Sequence, residues 1–448
     1  MIEKLVEKVK LAGVVGAGGA GFPTHVKLST KVEYVILNAA ECEPLIRVDQ
    51  ELLDKRTLKV IEGLQMILDV TEAKKAFIAV KEKHQEVIKK LEDVLKDYVN
   101  IELFLLKDFY PAGDEQVTVY EVLKRIVPLG GIPLNVGCMV CNVETALNVL
   151  NAYNDIAVTT TYVTVIGDVP EPATYEIPIG VSYEDVLKSC GVKNLEHKVI
   201  IDGGPMMGQV ITDFKKPITK TTKSIILIDE THSLIKNKTM SIHDSIKKSR
   251  TACIQCSKCT DLCPRDMLGH DVKPDKVMRI VNYGINDYKS MKTAIGCSEC
   301  GACELYACPN DLSPKKMNVL IKQELRSAGI TVDNKDKEFA AASFREYRKI
   351  PVKRLIRKLG IKQYDVKAPI KEWDHDNNKV IIPLKQHVGA PAVATVEIGT
   401  NVQKGELIAR IPEDALGANV HASIAGKIVD ITANDIRIEA EQGGRDFG

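Results

Sequence analysis

The chain has 448 residues, enough for about three or four domains with ample core volume. Its 61 basic and 60 acidic side chains cancel to a formal charge of +1, which gives no electrostatic reason to expect nucleic acid or an anionic membrane surface as a partner. No run of about 18 apolar residues occurs, and Met1-Ile-Glu-Lys-Leu reads as an amphipathic helix start rather than a signal peptide, so the expectation is a soluble cytoplasmic protein without a transmembrane segment.

Ile2, Leu5, Val6, Val9 and Leu11 have helical apolar spacing that stops at Gly13. A loop follows, Gly16-Ala-Gly18-Gly19-Ala-Gly21-Phe22-Pro23, and then Lys27. Its four glycines let backbone N–H groups approach a phosphate without a Cβ in the way, and Lys27 adds a point charge. Gly16-x-Gly18-x-x-Gly21 has the spacing of a dinucleotide fingerprint. That motif follows a strand and opens a long helix, however, whereas this one follows a helix and runs into Phe22-Pro23. It reads as a phosphate loop of another kind. A flexible linker is disfavoured, because linkers seldom carry a Phe-Pro and a lysine.

Glu33 to Asn38 reads as a buried strand that delivers Asn38 and Glu41 at its carboxyl end, where open α/β sheets bind ligands. A helix from about Asp49 to Leu68, a strand Ala76 to Val80, a helix Gln85 to Leu95 and a strand Ile101 to Leu105 continue the βαβ alternation. Tyr110 to Gln116 is a turn carrying Asp114-Glu115, an acidic pair that on its own marks a helix start. Asn142 to Thr145 opens another helix. Cys138-x-x-Cys141 lacks the surroundings of a thioredoxin motif and reads as two buried small hydrophobes rather than a redox dithiol.

From about Tyr162 the alternation changes to short strands with one helix, Tyr183 to Cys190. Eight of the 12 cysteines then fall in two combs, Cys253-x2-Cys256-x2-Cys259-x3-Cys263-Pro264 and Cys297-x2-Cys300-x2-Cys303-x4-Cys308-Pro309. Paired tetrahedral zinc knuckles are the competing reading, but those come as separated C-x2-C pairs rather than triplets trailed by Cys-Pro. The combs are similar to the bacterial two-cluster ferredoxin pattern, in which the fourth Cys of each comb serves the other comb's cluster. That pattern assigns Cys253, Cys256, Cys259 and Cys308 to one 4Fe-4S cluster, and Cys297, Cys300, Cys303 and Cys263 to a second. The second comb has one residue more before its last Cys, expected to be absorbed in the turn entering a helix. His270, between the combs, is expected to be structural because eight thiolates already complete both clusters. A basic segment from Phe344 to Lys362 is expected to be a solvated face or partner surface.

Gly16 to Lys27, Asn38 to Glu43, Tyr110 to Gln116 and Asn142 to Thr145 resemble, in this order, the flavin- and NADH-binding segments of the complex I NADH-binding subunit, and more closely the Rnf complex C subunit. The resemblance implies a Rossmann-like FMN/NADH-binding domain (1–155), a β-grasp module (156–235) and a two-cluster ferredoxin-like domain (240–330). A helical linker (331–378) follows, and then a C-terminal barrel-sandwich hybrid (379–448) similar to biotinyl and lipoyl carriers. Its Pro412 to Gly417 tip holds no lysine for a covalent arm. The implied cofactor contacts are Gly16, Gly18, Gly19, Lys27, Asn38, Gly113, Asp114, Asn142 and Thr145, with Glu41 and Glu115 as the catalytic pair facing the flavin ring and the NADH pocket. Ala40 stands where complex I has an acid, and Thr30 where it has the aromatic that stacks on adenine, so the NADH pocket lacks contacts that the FMN pocket keeps.

The C-terminal place of the barrel module, with Cys-Pro-Arg-Asp-Met-Leu-Gly-His in the first comb, is most similar to the propanediol-utilisation cobalamin reductases of bacterial microcompartments. That family implies electrons passing from NADH through FMN and two 4Fe-4S clusters to cob(II)alamin, with an adenosyltransferase and microcompartment shell proteins as partners. The alternative is an Rnf-C-like carrier that exchanges electrons with a protein such as ferredoxin. A zinc-stabilised binding module without redox activity is a third reading.

Overall fold

The computed structural model describes residues 2–285, 288–332, 337–375 and 378–440. After α1 (Ile2–Leu11) the glycine loop leads into a single turn of helix, α2 (Thr24–Leu28), and only then into β1 (Tyr34–Ala39). Next come α3 (Val48–Lys55), α4 (Thr57–Val70), β2 (Lys75–Lys81), α5 (Gln85–Val94), β3 (Ile101–Leu106), the short β4 (Phe109–Tyr110), α6 (Glu115–Leu123), β5 (Cys138–Asn142) and α7 (Val143–Tyr153). Four strands form a parallel sheet in the order β3-β2-β1-β5. Val35, Ile36 and Leu37 of β1 are fully buried, as a strand covered by helices on both faces requires. The helix expected over Asp49 to Leu68 is two helices, because Arg56 leaves helical geometry at φ −130°. Helices α4 and α7 lie so close that a Cβ on Gly63 would stand 2.0 Å from the Ala146 carbonyl oxygen. Cys138 and Cys141 are buried, and a spacing of three on a strand sends them to opposite faces.

The second unit is a six-stranded sheet in the order Ile370–Lys371, Ala173–Pro178, Thr160–Gly167, Ser224–Asp229, Lys198–Asp202 and Gln209–Ile211. Its first edge strand comes from the segment after the cluster domain. That segment is therefore not a helical linker throughout. Ile350–Pro351 pairs antiparallel with β4, Val352–Lys358 is a short helix, and Leu355 and Ile356 pack in one core with Tyr110 and Cys300. Arg345, in the basic segment expected to be a solvated face or partner surface, is 5% exposed and pairs with Glu121 at 2.6 Å. Lys353, Arg354, Arg357 and Lys358 of the same segment stay exposed.

The cluster domain packs helices Ile242–Ala252, Pro274–Tyr283 and Pro314–Ser327 around Val277, Met278, Leu312, Met317 and Ile321. The tail forms two small sheets, one of four strands and one of three, and folds back onto the first domain. The Val388 amide donates to the Ala20 carbonyl at 3.0 Å. Lys220, in the turn of the six-stranded unit, donates to the carbonyls of Gly13 and Asn419 at 2.7 Å each. Three domains thus meet behind the glycine loop. No helix among the described residues is long and apolar enough to cross a membrane.

Candidate functional site

In the order β3-β2-β1-β5, the chain runs outward from β1 on one side and returns on the other, so the crevice between the carboxyl ends of β1 and β5 is a topological switch point. Asn38 and Asn142 are register partners there. The glycine loop lies over the same edge. Gly16 N donates to Phe22 O at 2.9 Å to close the loop, and Ala17 N donates to Thr145 Oγ1 at 3.0 Å to tie it to α7. A Cβ on Gly18 would stand 3.1 Å from Asn142 Cβ, and one on Gly113 would stand 3.3 Å from Cys42 Sγ. Asn38 Nδ2 donates to the Gly113 carbonyl at 2.8 Å. Over Gly19 there is open space, since a Cβ there meets nothing within 4 Å. These residues form a cradle of glycine backbone held by the Asn38, Asn142 and Thr145 side chains, and it fits a flavin phosphate and ring. Gly18→Val is accordingly expected to cut the flavin retained on purification at least tenfold, and Gly19→Ala to leave it near the original level. Flavin absorbance per chain, with circular dichroism to check folding, reads both.

The two candidate catalytic carboxylates differ in setting. Glu41 Oε1 accepts from the Asp49 amide at 2.9 Å, and the Asp49 carboxylate accepts from Asn142 Nδ2 at 2.8 and 3.0 Å. Burial pushes the carboxyls of Glu41 and Asp49 above their ordinary values, and the neighbouring Glu41 charge pushes Asp49 further. Both carboxyls are thereby biased toward the protonated form beside the crevice. Glu115 lies beside Lys27, whose Nζ reaches Glu115 Oε1 at 3.4 Å and Val140 O at 3.1 Å. Asp114, expected as a cofactor contact, is engaged within the protein. Its Oδ1 caps α6 by accepting from the amides of Gln116 and Val117, and its carboxylate takes both arms of Arg265 at 2.6 and 2.9 Å. It points to the cluster domain.

Cys253, Cys256, Cys259 and Cys308 line one cavity together with Asp275 and Met278. The other four lie near one another: burial raises the Cys303 thiol, and the neighbouring Cys297, Cys300 and Cys263 raise it further. Both combs use the same backbone, with left-handed residues at Gln255 (φ 53°) and Ser257 (φ 59°) in the first and at Glu299 (φ 59°) and Gly301 (φ 74°) in the second. Alternating left-handed residues turn successive N–H groups inward, a nest for anionic sulfur. The extra residue of the second comb is taken up by a π-helical turn, Ala302–Ala307, which holds one residue more than an α-turn. Burial holds Cys259 up to about 12 and Cys300 up to about 11, so binding metal releases protons as thiols become thiolates. The donor set fits a pair of cubanes. His270 donates from Nε2 to the Val127 carbonyl at 2.8 Å. Burial pulls its pKa down to about 4, in keeping with a structural residue.

Asp49, Arg265 and Lys223, which pairs with buried Glu144, were not legible as site residues. Arg265 had one signal, its place directly after Cys263-Pro264.

Residues 9–151 match the Nuo51 FMN-binding domain, 162–210 the SLBB domain, 252–313 the 4Fe-4S dicluster domain and 356–442 the RnfC barrel sandwich hybrid domain. Cobalamin reductase PduS of Citrobacter freundii is 41% identical over 437 residues, which is 96% of this chain and 95% of the relative. The chain belongs to the PduS family. PduS of Salmonella typhimurium is 40% identical over 441 residues, covering 97% of this chain and 96% of its own. The C subunit of the Na(+)-translocating ferredoxin:NAD(+) oxidoreductase complex of Acetobacterium woodii is 34% identical over 261 residues, 56% of each chain. As a PduS-family protein the chain is multidomain α/β, with an FMN-binding domain, an SLBB domain, a dicluster domain and a barrel-sandwich hybrid.

Proposed function

We propose that this chain is an NADH-dependent cob(II)alamin reductase acting within a bacterial microcompartment, where an adenosyltransferase consumes its product. The balance is one NADH and two cob(II)alamin giving NAD+, two cob(I)alamin and one proton. When bound, FMN takes up two electrons together and releases them singly, and each 4Fe-4S cluster carries one. The residues that would hold FMN are Gly16, Gly18, Gly19, Lys27, Asn38, Gly113, Asn142 and Thr145. Lys27 sets a positive charge near the glycine loop, and Glu41 and Asp49 place two buried carboxyls beside the crevice. The two crossed cysteine sets would hold the clusters.

The observation that carries this reading is the join between the crevice and one cysteine set. Tyr110 donates its hydroxyl to the Cys300 carbonyl at 2.6 Å, and Arg265, two residues past Cys263, clamps Asp114. A Cβ on Gly296, beside Cys297, would stand 2.0 Å from Leu129 of the flavin-type domain. The set Cys263, Cys297, Cys300 and Cys303 is thus the flavin-side one. The set Cys253, Cys256, Cys259 and Cys308 is lined only by residues of the cluster domain, and Cys256 is exposed. Electrons would enter at the first set and leave at the second.

An anaerobic titration with NADH, followed by absorbance and EPR, tests the reading. Flavin bleaching should precede two reduced-cluster signals, with two cob(II)alamin reduced per NADH. Reduction by dithionite alone would remove NADH as the donor. A second reading, delivery to a protein such as ferredoxin, is favoured by the exposed apolar flanks of the outer site, Ile254 at 66% and Tyr283 at 67%. It predicts turnover only when that partner is added.

A further inference from the structure

The glycine loop has a second side. Its tip, Gly19 and Ala20, also walls an open cleft of about 570 Å3, closed elsewhere by the Thr219–Thr221 turn of the six-stranded unit and by the Lys385–Gly389 loop of the barrel. Among the described residues no carboxylate lines it. Lys385 is exposed at its rim, and the Thr219 and Thr221 hydroxyls lie 3.2 Å apart in its wall. Beneath the turn, Lys220 is only 3% exposed and is satisfied by the Gly13 and Asn419 carbonyls rather than by a carboxylate. Burying a cation without a counter-charge is costly, and burial alone draws its pKa down to about 7. A rim lysine, paired hydroxyls and an unobstructed glycine backbone, with no carboxylate among the lining residues, together suit an anion that accepts many hydrogen bonds. The size suits a nucleotide fragment.

We propose that this cleft binds the phosphate and ribose of a nucleotide, with Lys385 and Thr221 as direct contacts. Both small molecules of the reductase reading carry such a group, NADH in its diphosphate and cobalamin in the phosphodiester of its nucleotide loop. The cleft rests on that reading only for the owner of the phosphate. Because Gly18 faces Asn142 while Gly19 and Ala20 face the cleft, a dinucleotide could cross the loop from one to the other. Such a course would hold the adenosine end without the aromatic that Thr30 replaces.

The test is calorimetry on the full holoprotein with ADP-ribose in one arm, and cobalamin against cobinamide, which lacks the nucleotide loop, in the other. Lys385→Glu should weaken ADP-ribose or cobalamin at least tenfold, leave cobinamide unchanged, and keep the flavin content. Thr221→Val should fall between. The arm that responds names the owner. No binding of either probe to the original protein, or equal binding to Lys385→Glu, overturns the proposal. So does loss of flavin from Lys385→Glu, which would give the cleft to the flavin's own phosphate. Failure of NADH to bleach the flavin, with a probe still sensitive to Lys385→Glu, would refute the NADH reading and leave the cleft standing.

Discussion

Cys263→Ala is expected to strip the iron from the cluster begun by the other comb. The holoprotein should keep about half its iron, because one of two like clusters loses a ligand and the other keeps all four. Its remaining EPR signal should be that of Cys300→Ala, and not that of Cys253→Ala, although Cys263 is in the same comb as Cys253. The reason lies in the chain path. Past Cys259 a short helix, Lys258–Asp261, carries the backbone away from its own cavity, and Cys263 ends buried in a small core with Leu129 and Val272, next to Cys297. Cys308 makes the reciprocal move and lines the first cavity, where its Sγ accepts from the Leu312 amide at 3.4 Å. If the Cys263→Ala signal instead matched that of Cys253→Ala, ligation would be within combs, and the join between the flavin-side set and the crevice would be lost with it.

Much of this could be read from the sequence because the informative residues act locally. A comb of thiols declares its chemistry through its own spacing, whereas the left-handed pairs at Gln255 and Ser257 and at Glu299 and Gly301 are seen only in the fold. The parallel sheet was legible for a similar reason. Buried on both faces, its strands run as unbroken apolar stretches such as Val35-Ile36-Leu37. The glycine loop was recognisable as other than a dinucleotide fingerprint from its flanks, and it does lie between two helices.

What escaped was long-range pairing. Asp114 carries the same local signal whether it meets a cofactor or an arginine 151 residues away, and only the folded chain brings Arg265 to it. Arg345 and the segment around it look solvated because a basic run has no period that betrays a partner, yet Glu121 and β4 receive it. Likewise nothing in the tail's short strands announces that His387 and Val388 sit on the glycine loop. The barrel is last in sequence and adjacent in space.

The Asp114–Arg265 clamp gives the second large effect. Both side chains are nearly out of solvent, at 11% and 8% exposure, and the geometry is a fork on a carboxylate. Asp114→Asn can still cap α6, since Asn serves as well as Asp in that position, so its cost isolates the lost charge. It strands a guanidinium in a buried interface, and Arg265→Ala strands the carboxylate. Each should cost about 3–5 kcal/mol, the range for breaking a buried pair by removing one partner. The double change Asp114→Asn with Arg265→Met should cost much less than the two singles together, because no unpaired charge remains. The midpoint of urea-induced loss of cluster absorbance measures all three. Electron flow should show the same pattern, with flavin reduction kept and cluster reduction slowed in the singles, because the clamp holds the Cys263 turn against the turn that precedes α6. Singles within about 1 kcal/mol of the original, which is what an exposed pair contributes, would mean that water reaches the interface and that the clamp does not position the flavin-side cluster.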